Sequence, residues 1–399
     1  MKITKIDVLL VTTANPIWRP ILCRIHTDEG IYGDGEAAVA YISSQTAAFG
    51  MIQDLARFII GMDPLQNEVI WDKLYKTTFW GQNGGPVVFA GISALDIALW
   101  DIKGKFFNAP LHVLLGGKRR DKLRAYASQL QFGWEMDWPE AATGIPQRSA
   151  QDYANVCKKA MAEGYDAVKI DFFTFDKTGE GYQQFTEEER TRLIKPYYLN
   201  MIEERLSAIR EACGPDLDII IENHSFPDAQ GAVQIGQMAE KYRIMYFEEP
   251  NTPTPYMQKY IADKVNIPQA SGERIYSRWQ YAPYFENKSL QVIQPDIGNC
   301  GGLTEAKKIC DMAYTYDVSV QAHVCATPLS TSVALHLEAV IPNFVIHEHH
   351  VNNRCIFNYG LAKYNPQPEK GYIAVPNEPG IGNEITEQAY RQAQVAVIR

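Results

Sequence analysis

The chain has 399 residues, which at about 150 residues per domain points to two or three domains and a core large enough to need neither disulfides nor a structural metal. Apolar residues make up 46% and charged residues 21%, too apolar a balance for long disorder. A formal charge of −9 argues against a phosphate-binding face, and so against a nucleic-acid partner. No apolar run reaches the roughly 18 residues of a membrane span, and the opening MKITKIDVLLVTT lacks a small-residue cleavage site. The seven cysteines are scattered and never spaced as CxxC, which suits reduced thiols and a cytoplasmic location.

The opening reads as strands, then helices. Ile3 to Val11 and Ile21 to His26 are apolar or alternating, and Asp28-Glu29-Gly30 is a hairpin turn before Ile31 to Glu36. Phe89 to Lys103 follows with helical spacing of Ile92, Leu95, Ala98, Leu99 and Ile102. Strands followed by helices predict an α+β domain over 1–122. Gly33-Asp34-Gly35 imitates part of a dinucleotide fingerprint, but in a hairpin strand rather than a βα turn.

From about Leu123 short apolar strands alternate with helices. Asp152 to Ala162 reads as a helix, Gly164 as its stop and Ala167 to Ile170 as the next strand. Met201 to Ala212 with Asp218 to Glu222, Ala229 to Lys241 with Ile244 to Glu248, and Thr304 to Tyr316 with Ser319 to His323 repeat that grammar. Ala125 to Gln129, Gln269 to Ser271, Leu290 to Gln294 and Phe344 to Glu348 complete eight strands. The expected fold is α/β: a (β/α)8, TIM-type barrel over 123–365, with the 366–399 tail returning to complete the N-terminal cap. Two inserts interrupt the rhythm, at 134–147 and 172–199.

The polar residues that end these strands carry the chemistry. Glu222, Glu248, Glu273, Asp296, His323 and Glu348 follow one another at steps of 26, 25, 23, 27 and 25, the length of one strand, one helix and two loops. All would meet at the C-terminal mouth of a barrel. A single acid after a strand is usually a solvated loop residue; five carboxylates and a histidine in phase are not. Glu222, Glu248 and Glu273, read as three unpaired carboxylates at one mouth, would repel at low dielectric. A hard cation resolves this, and all-carboxylate ligation suits Mg²⁺ or Mn²⁺ rather than Zn²⁺. Asp296 beside His323 makes a general base. His224 lies two residues after Glu222, so both side chains point the same way, and Lys169 and Asp171 show the same spacing on strand two. His347, His349 and His350 have a spacing that does not by itself bring three rings together around zinc.

Lys169-Ile170-Asp171, Glu222-Asn223-His224, Phe247-Glu248-Glu249-Pro250, Ser271-Gly272-Glu273-Arg274, Gln294-Pro295-Asp296 and Gln321-Ala322-His323 together resemble the enolase superfamily, mandelate-racemase-like subgroup. The stretch ISALDIALWDIKGK beginning at Ile92 is similar to that family's capping-domain helix. Within the subgroup, Gly272 to Arg278, the histidine two after the first acid and the step from His323 to Glu348 look most like galactonate dehydratase and related sugar-acid dehydratases.

The resemblance implies a Mg²⁺-assisted elimination on a small sugar acid. Glu222, Glu248 and Glu273 would hold Mg²⁺, and His323, held by Asp296, would take the α-proton. His224 would protonate the departing 3-hydroxyl, and Glu348 would hydrogen-bond the substrate carboxylate or the enediolate. A Lys or His base with Mg²⁺ is general in this superfamily. Two departures stand out. Glu222 replaces an Asp common in related dehydratases, and Asp171 stands where racemases have a second lysine, which disfavours two-base racemisation. Lys169 would then neutralise Asp171 or a ligand oxygen. Specificity is expected from the cap, through Trp18 and Arg19 of the loop 15–20 and Asn83 of the turn 80–85, because a polyol tail needs hydrogen-bond donors beyond the barrel loops. A homo-oligomer is expected, with neither nucleic acid nor membrane as partner. The alternatives are a racemase or epimerase of a 2-hydroxy acid, and a non-catalytic ligand-binding member of the same fold.

Overall fold

Apolar alternation builds the barrel. The computed structural model describes residues 1–134, 147–175 and 194–399; most of the two inserts expected at 134–147 and 172–199 lies outside the described residues. The first sheet holds β1 (Ile3–Val11), β2 (Ile21–Thr27) and β3 (Tyr32–Ala37), joined by β13 (Ala393–Ile398) from the tail in the order β13-β1-β2-β3. Helices α1 (Gln45–Ala56), α2 (Asn67–Lys76) and α3 (Pro86–Phe106) follow in the cap, α1 and α3 packing on this sheet.

The second sheet is the barrel. Its parallel strands are β4 (Lys122–Ser128), β5 (Ala167–Asp171), β6 (Asp218–Glu222), β7 (Ile244–Glu248), β8 (Gln269–Ser271), β9 (Val292–Ile293), β10 (Ser319–Val320) and β11 (His347–His350). They run in sequence from β4 to β10, with β11 beside β4. A parallel bridge between Val320 and Phe344 closes the ring. This is the eight-stranded barrel under an α+β cap that the strand–helix grammar predicts. The last strand is displaced: Phe344 to Glu348 was expected, whereas His347–His350 pairs with β4, because Phe344 is spent on closing against β10. In the tail, β12 (Tyr372–Ala374) pairs antiparallel with β4 before β13 reaches β1. The tail thus ties both sheets.

Period-two alternation sets what lies inside. Tyr126, Ala167, Ile220, Tyr246, Ala270, Val292 and Ile346 form the inner cluster, while Val168, Ile219, Ile221 and Phe247 face the outer layer of helices such as α4 (Ala150–Ala162), α5 (Pro196–Cys213) and α6 (Ala229–Ala239). Two residues further along, the inward positions become Ser128, Lys169, Glu222, Glu248, Gln294 and Glu348. Where Gly272 fills this layer, a Cβ would lie 2.3 Å from the backbone of Gln294, so only glycine lets β8 and β9 approach. Two residues further again come Asp171, His224, Asp296 and His350. The chemistry is the continuation of the core.

The cap is clamped to the barrel by helix caps. Ser93 Oγ of α3 accepts the N–H groups of Gly301 and Gly302, and Asp96 accepts both the N–H (2.9 Å) and hydroxyl (2.6 Å) of Thr304, satisfying the first turn of α9 (Gly302–Thr315). Glu36 of β3 does the same for α10 (Pro328–Val340), accepting from Thr327 and Ser330. Among the described residues, no helix is long and apolar enough to cross a membrane.

Candidate active site

Three inward carboxylates share one lysine. Lys169 Nζ lies 2.7 Å from Glu248 Oε1, 2.8 Å from Glu348 Oε1 and 3.5 Å from Glu222 Oε2, and all four side chains are buried. The expectation of three unpaired carboxylates is therefore corrected: strand β5, adjacent to β6 in space, supplies a cation to Glu222 and Glu248. Lys169 does not pair with Asp171; of its two expected roles it takes the neutralisation of ligand oxygens. Burial lowers the Lys169 ammonium, but Glu222, Glu248 and Glu348 raise it well above its ordinary value. Burial, with Glu222 and Glu348 nearby, pushes Glu248 up to about 8 despite that lysine. One ammonium is too little charge for this cluster.

The acidic triad fits a divalent cation. One oxygen each from Glu222, Glu248 and Glu273 lies within 4.8 Å of the other two. Glu222 Oε1 and Glu248 Oε2 are buried and accept no hydrogen bond among the described residues. The second oxygens are engaged, Glu222 Oε2 by Gln129 and Glu248 Oε1 by Lys169. Glu222 and Glu248 are thus each oriented with one oxygen that accepts no hydrogen bond, the arrangement that a hard cation needs, while Glu273 stands between Arg274 and His323.

Glu348 is held by both oxygens within the floor of the site. Its Oε1 accepts from Ser128 Oγ (2.7 Å) and Lys169, and its Oε2 from the Val324 N–H (2.9 Å). Burial opposes its charge, yet Lys169 holds it well below the usual carboxylate range. It is an anionic acceptor whose oxygens are already bonded, and it does not line the cavity above.

Above the carboxylates stand two histidines, each with an aspartate. Asp296 Oδ2 lies 2.7 Å from His323 Nδ1 and Asp171 Oδ2 lies 2.6 Å from His224 Nδ1. The opposite ring nitrogens face the triad: His323 Nε2 is 3.2 Å from Glu273 Oε2 and His224 Nε2 is 3.2 Å from Glu222 Oε1. Burial disfavours the imidazolium in both, but Glu222 and Asp171 push His224 up to about 9, and Glu273 and Asp296 push His323 up to about 10. His224 has a left-handed backbone (φ 45°), a strained conformation of the kind that collects at functional sites.

Both histidines open into a cavity of about 700 Å³ between barrel and cap. Phe132, Phe173 and Phe226 line it from the barrel loops, and Ile17, Trp18, Tyr41 and Ile42 from the cap. Of the three cap residues expected to bind substrate, only Trp18 lines this cavity, its indole N–H donating to Asn358 Oδ1 at 3.1 Å. Arg19 and Asn83 do not line it. Arg19 instead donates its backbone N–H to Ala40, and Asn83 accepts from Gln280. Sequence reasoning missed Arg274, which lines the cavity and pairs with buried Glu249 and, at 3.2 Å, with Glu273. A cation beside a strand-end acid was the available signal. The three closely spaced histidines separate: His347 bonds Glu338, His349 packs between Trp134 and Tyr165, and only His350 lines the cavity.

The family follows from comparison as well as from geometry. Residues 10–116 match the mandelate racemase / muconate lactonizing enzyme N-terminal domain, and residues 152–389 match the enolase C-terminal domain-like family. A D-galactonate dehydratase of Pectobacterium atrosepticum is 31% identical over 97% of this chain and 93% of its own length. One from Klebsiella pneumoniae is likewise 31% identical, with 97% and 93% covered. Among solved structures, an enolase-superfamily member from Salmonella Typhimurium is 49% identical, with a TM-score of 0.94 and both chains covered in full. The chain belongs to the enolase superfamily, in its mandelate racemase and muconate lactonizing enzyme family.

Proposed function

We propose that this chain is a hydro-lyase: a Mg²⁺-dependent sugar-acid dehydratase that removes the α-proton and the β-hydroxyl of an aldonate, D-galactonate first among candidates, to leave a 2-keto-3-deoxy acid. The observation that carries this reading is the pair of aspartate-held histidines whose Nε2 atoms converge on one acidic triad. Elimination of water needs a base at one carbon and an acid at the next, held at the same time. In this reading a cation on the triad would offset the Glu273 charge that raises His323, so that the neutral ring takes the α-proton at Nε2 and Asp296 steadies the imidazolium that results. His224, oriented by Asp171, gives its Nε2 proton to the departing hydroxyl, which leaves as water. Glu222, Glu248 and Glu273 would hold Mg²⁺, whose charge acidifies the α-proton when bound. Lys169 and Glu348 keep that acidic floor in place, and Trp18 closes the cavity against water from the cap side. The D-galactonate dehydratases among its relatives support the reaction class. The unpaired cysteines fit a reducing, cytosolic setting.

A second reading gains from one observation. Asp171, at the position where racemases have a lysine base, completes a second His–Asp pair. Two such pairs could exchange a proton on either side of one carbon. The test is a panel of aldonates and aldarates incubated with the Mg²⁺-loaded protein, with 2-keto-3-deoxy products trapped as semicarbazones. Keto product from D-galactonate or a close epimer is expected. Configurational inversion at the α-carbon with no keto product would replace the dehydratase by the epimerase.

A further inference from the structure

The inward alternation that delivers Glu348 continues to His350, and the same spacing beyond His323 reaches Cys325. Both line the cavity, one layer nearer its mouth. Neither has a part in the reaction as derived above.

The protonation of His350 can be read from its partners. Its Nδ1 accepts the backbone N–H of Asn352 at 3.0 Å, capping the short turn that follows β11. A backbone N–H only donates, so Nδ1 carries no proton, and the neutral ring must carry it on Nε2. Burial holds this imidazole down to about 4, so the neutral ring is the form present near pH 7. Its Nε2–H faces Cys325 Sγ at 3.4 Å. Burial also pushes the Cys325 thiol well above its ordinary value, so the sulfur stays protonated and is a weak acceptor. A fixed, well-oriented donor therefore meets a poor partner on the wall of a cavity. The barrel rings Phe132, Phe173 and Phe226 on the same cavity offer a hydroxyl no comparable donor.

We infer that the His350 Nε2–H and the Cys325 thiol form a subsite that binds an acceptor oxygen, a hydroxyl on the substrate chain beyond the two reacting carbons, and so selects among stereoisomers of the acid. The inference rests on the sugar-acid reading. Two residues of extended chain span about 7 Å, so the subsite lies outward of His323, where C2 must sit, and reads the chain further from the carboxylate. A site built to bond a hydroxyl rejects the analogue that lacks or misplaces it, because its own buried donor is then left unpaired.

The experiment compares wild type, His350→Phe, His350→Gln and Cys325→Ala on D-galactonate and on its 4-, 5- and 6-deoxy derivatives. In wild type, one deoxy derivative should lose about 10- to 100-fold in kcat/KM, carried mainly by KM. His350→Phe should lose a similar factor on D-galactonate and nothing further on that derivative. His350→Gln, which keeps a donor, should recover part of the loss, and Cys325→Ala should weaken the same discrimination. An equal loss by His350→Phe on every substrate would overturn the subsite. A separate readout needs no turnover: ring ¹⁵N spectra of the Mg²⁺-loaded protein should show His350 as the Nε2–H tautomer from pH 6 to 8, and an Nδ1–H tautomer would overturn the proposal. If no acid in the panel is dehydrated by wild type, the dehydratase reading has failed, and the ¹⁵N result alone decides whether the donor exists.

Discussion

Asp171 Oδ2 stands 2.6 Å from His224 Nδ1, and the rest of this contact repeats, atom for atom, what Asp296 does for His323. Asp171 Oδ1 accepts the N–H of Phe173 at 2.7 Å, and Asp296 Oδ1 accepts the N–H of Gly298 at 2.8 Å. In each case the aspartate has one oxygen fixed by its own loop and the other by the histidine. The pairs sit on neighbouring strands, 171 at the end of β5 with 224 beyond β6, and 296 with 323 beyond β9 and β10. The acidic triad at the ends of β6, β7 and β8 lies between them. Two His–Asp pairs thus flank one acidic triad.

Asp171 should therefore act on chemistry through His224 and not through the metal. Asp171→Asn puts an amide opposite Nδ1 and loses the anion that fixes the ring's tautomer. Dehydration should slow by roughly 10²- to 10⁴-fold, the usual worth of a positioned general acid. Mg²⁺ affinity should stay close to wild type. Exchange of the α-proton, followed by proton NMR in deuterated water, should survive because His323 is untouched. Loss of exchange as complete as that in His323→Asn would refute this division of roles.

Removing Lys169 should expose what it holds apart. It is fully buried against Glu222, Glu248 and Glu348, and breaking a buried ionic cluster from one side costs roughly 3–5 kcal/mol. Lys169→Met should lose stability of that order without metal. It should regain much of it in millimolar Mg²⁺, since a cation then offsets the carboxylates. Urea unfolding with and without Mg²⁺ measures both numbers. Equal metal-free stability of variant and wild type would rule the argument out.

For the metal itself, Glu248→Gln is the sharpest substitution. It keeps the shape and can keep the contact with Lys169, but it weakens the free Oε2 as a ligand. Calorimetric Mg²⁺ binding should weaken by at least an order of magnitude, and both proton exchange and dehydration should fall with it. Groups that only hydrogen-bond to the ligands are commonly worth 10- to 100-fold in affinity, so a ligand itself should be worth no less. Full activity without divalent metal would remove the triad from the mechanism.

Much of this site could be read from the chain because a strand end has only two directions. Once Glu222, Glu248, Asp296, His323 and Glu348 recur at barrel spacing, alternation alone places them inward, and the structure brings them together. What alternation cannot give is which neighbour each inward group touches. Lys169 reaches across to β7 and β11, rather than along its own strand to Asp171, because its long side chain spans the barrel interior. Asp171, with a short side chain and one oxygen held by Phe173, meets only the adjacent strand. The cap residues were hardest to place. Arg19 and Asn83 looked suitable by polarity, but the loop turns Trp18 inward and Arg19 away, an outcome set by the Trp18–Asn358 bond from a residue 340 positions distant.

The last prediction concerns the clamp between cap and barrel. Asp96 lies on the ISALDIALWDIK helix and accepts two hydrogen bonds from Thr304 at the first turn of α9. A helix N-terminus favours a charged carboxylate, yet burial is the stronger effect and pushes this one up to about 7. In the unfolded chain it ionises near its ordinary value of 3.8. Between those two values the folded state keeps a proton that the unfolded state has lost. The contribution is therefore complete below about pH 4 and falls away as pH rises through 7, by at most about 4 kcal/mol across the window. Asp96→Asn cannot ionise and keeps one acceptor toward Thr304. Its deficit relative to wild type should be larger at pH 5 than at pH 8. Urea midpoints of both proteins at those two pH values test this directly. A wild-type advantage that is the same at pH 5 and pH 8 would mean that Asp96 is already ionised in the folded protein, its charge carried by Thr304 and the end of α9.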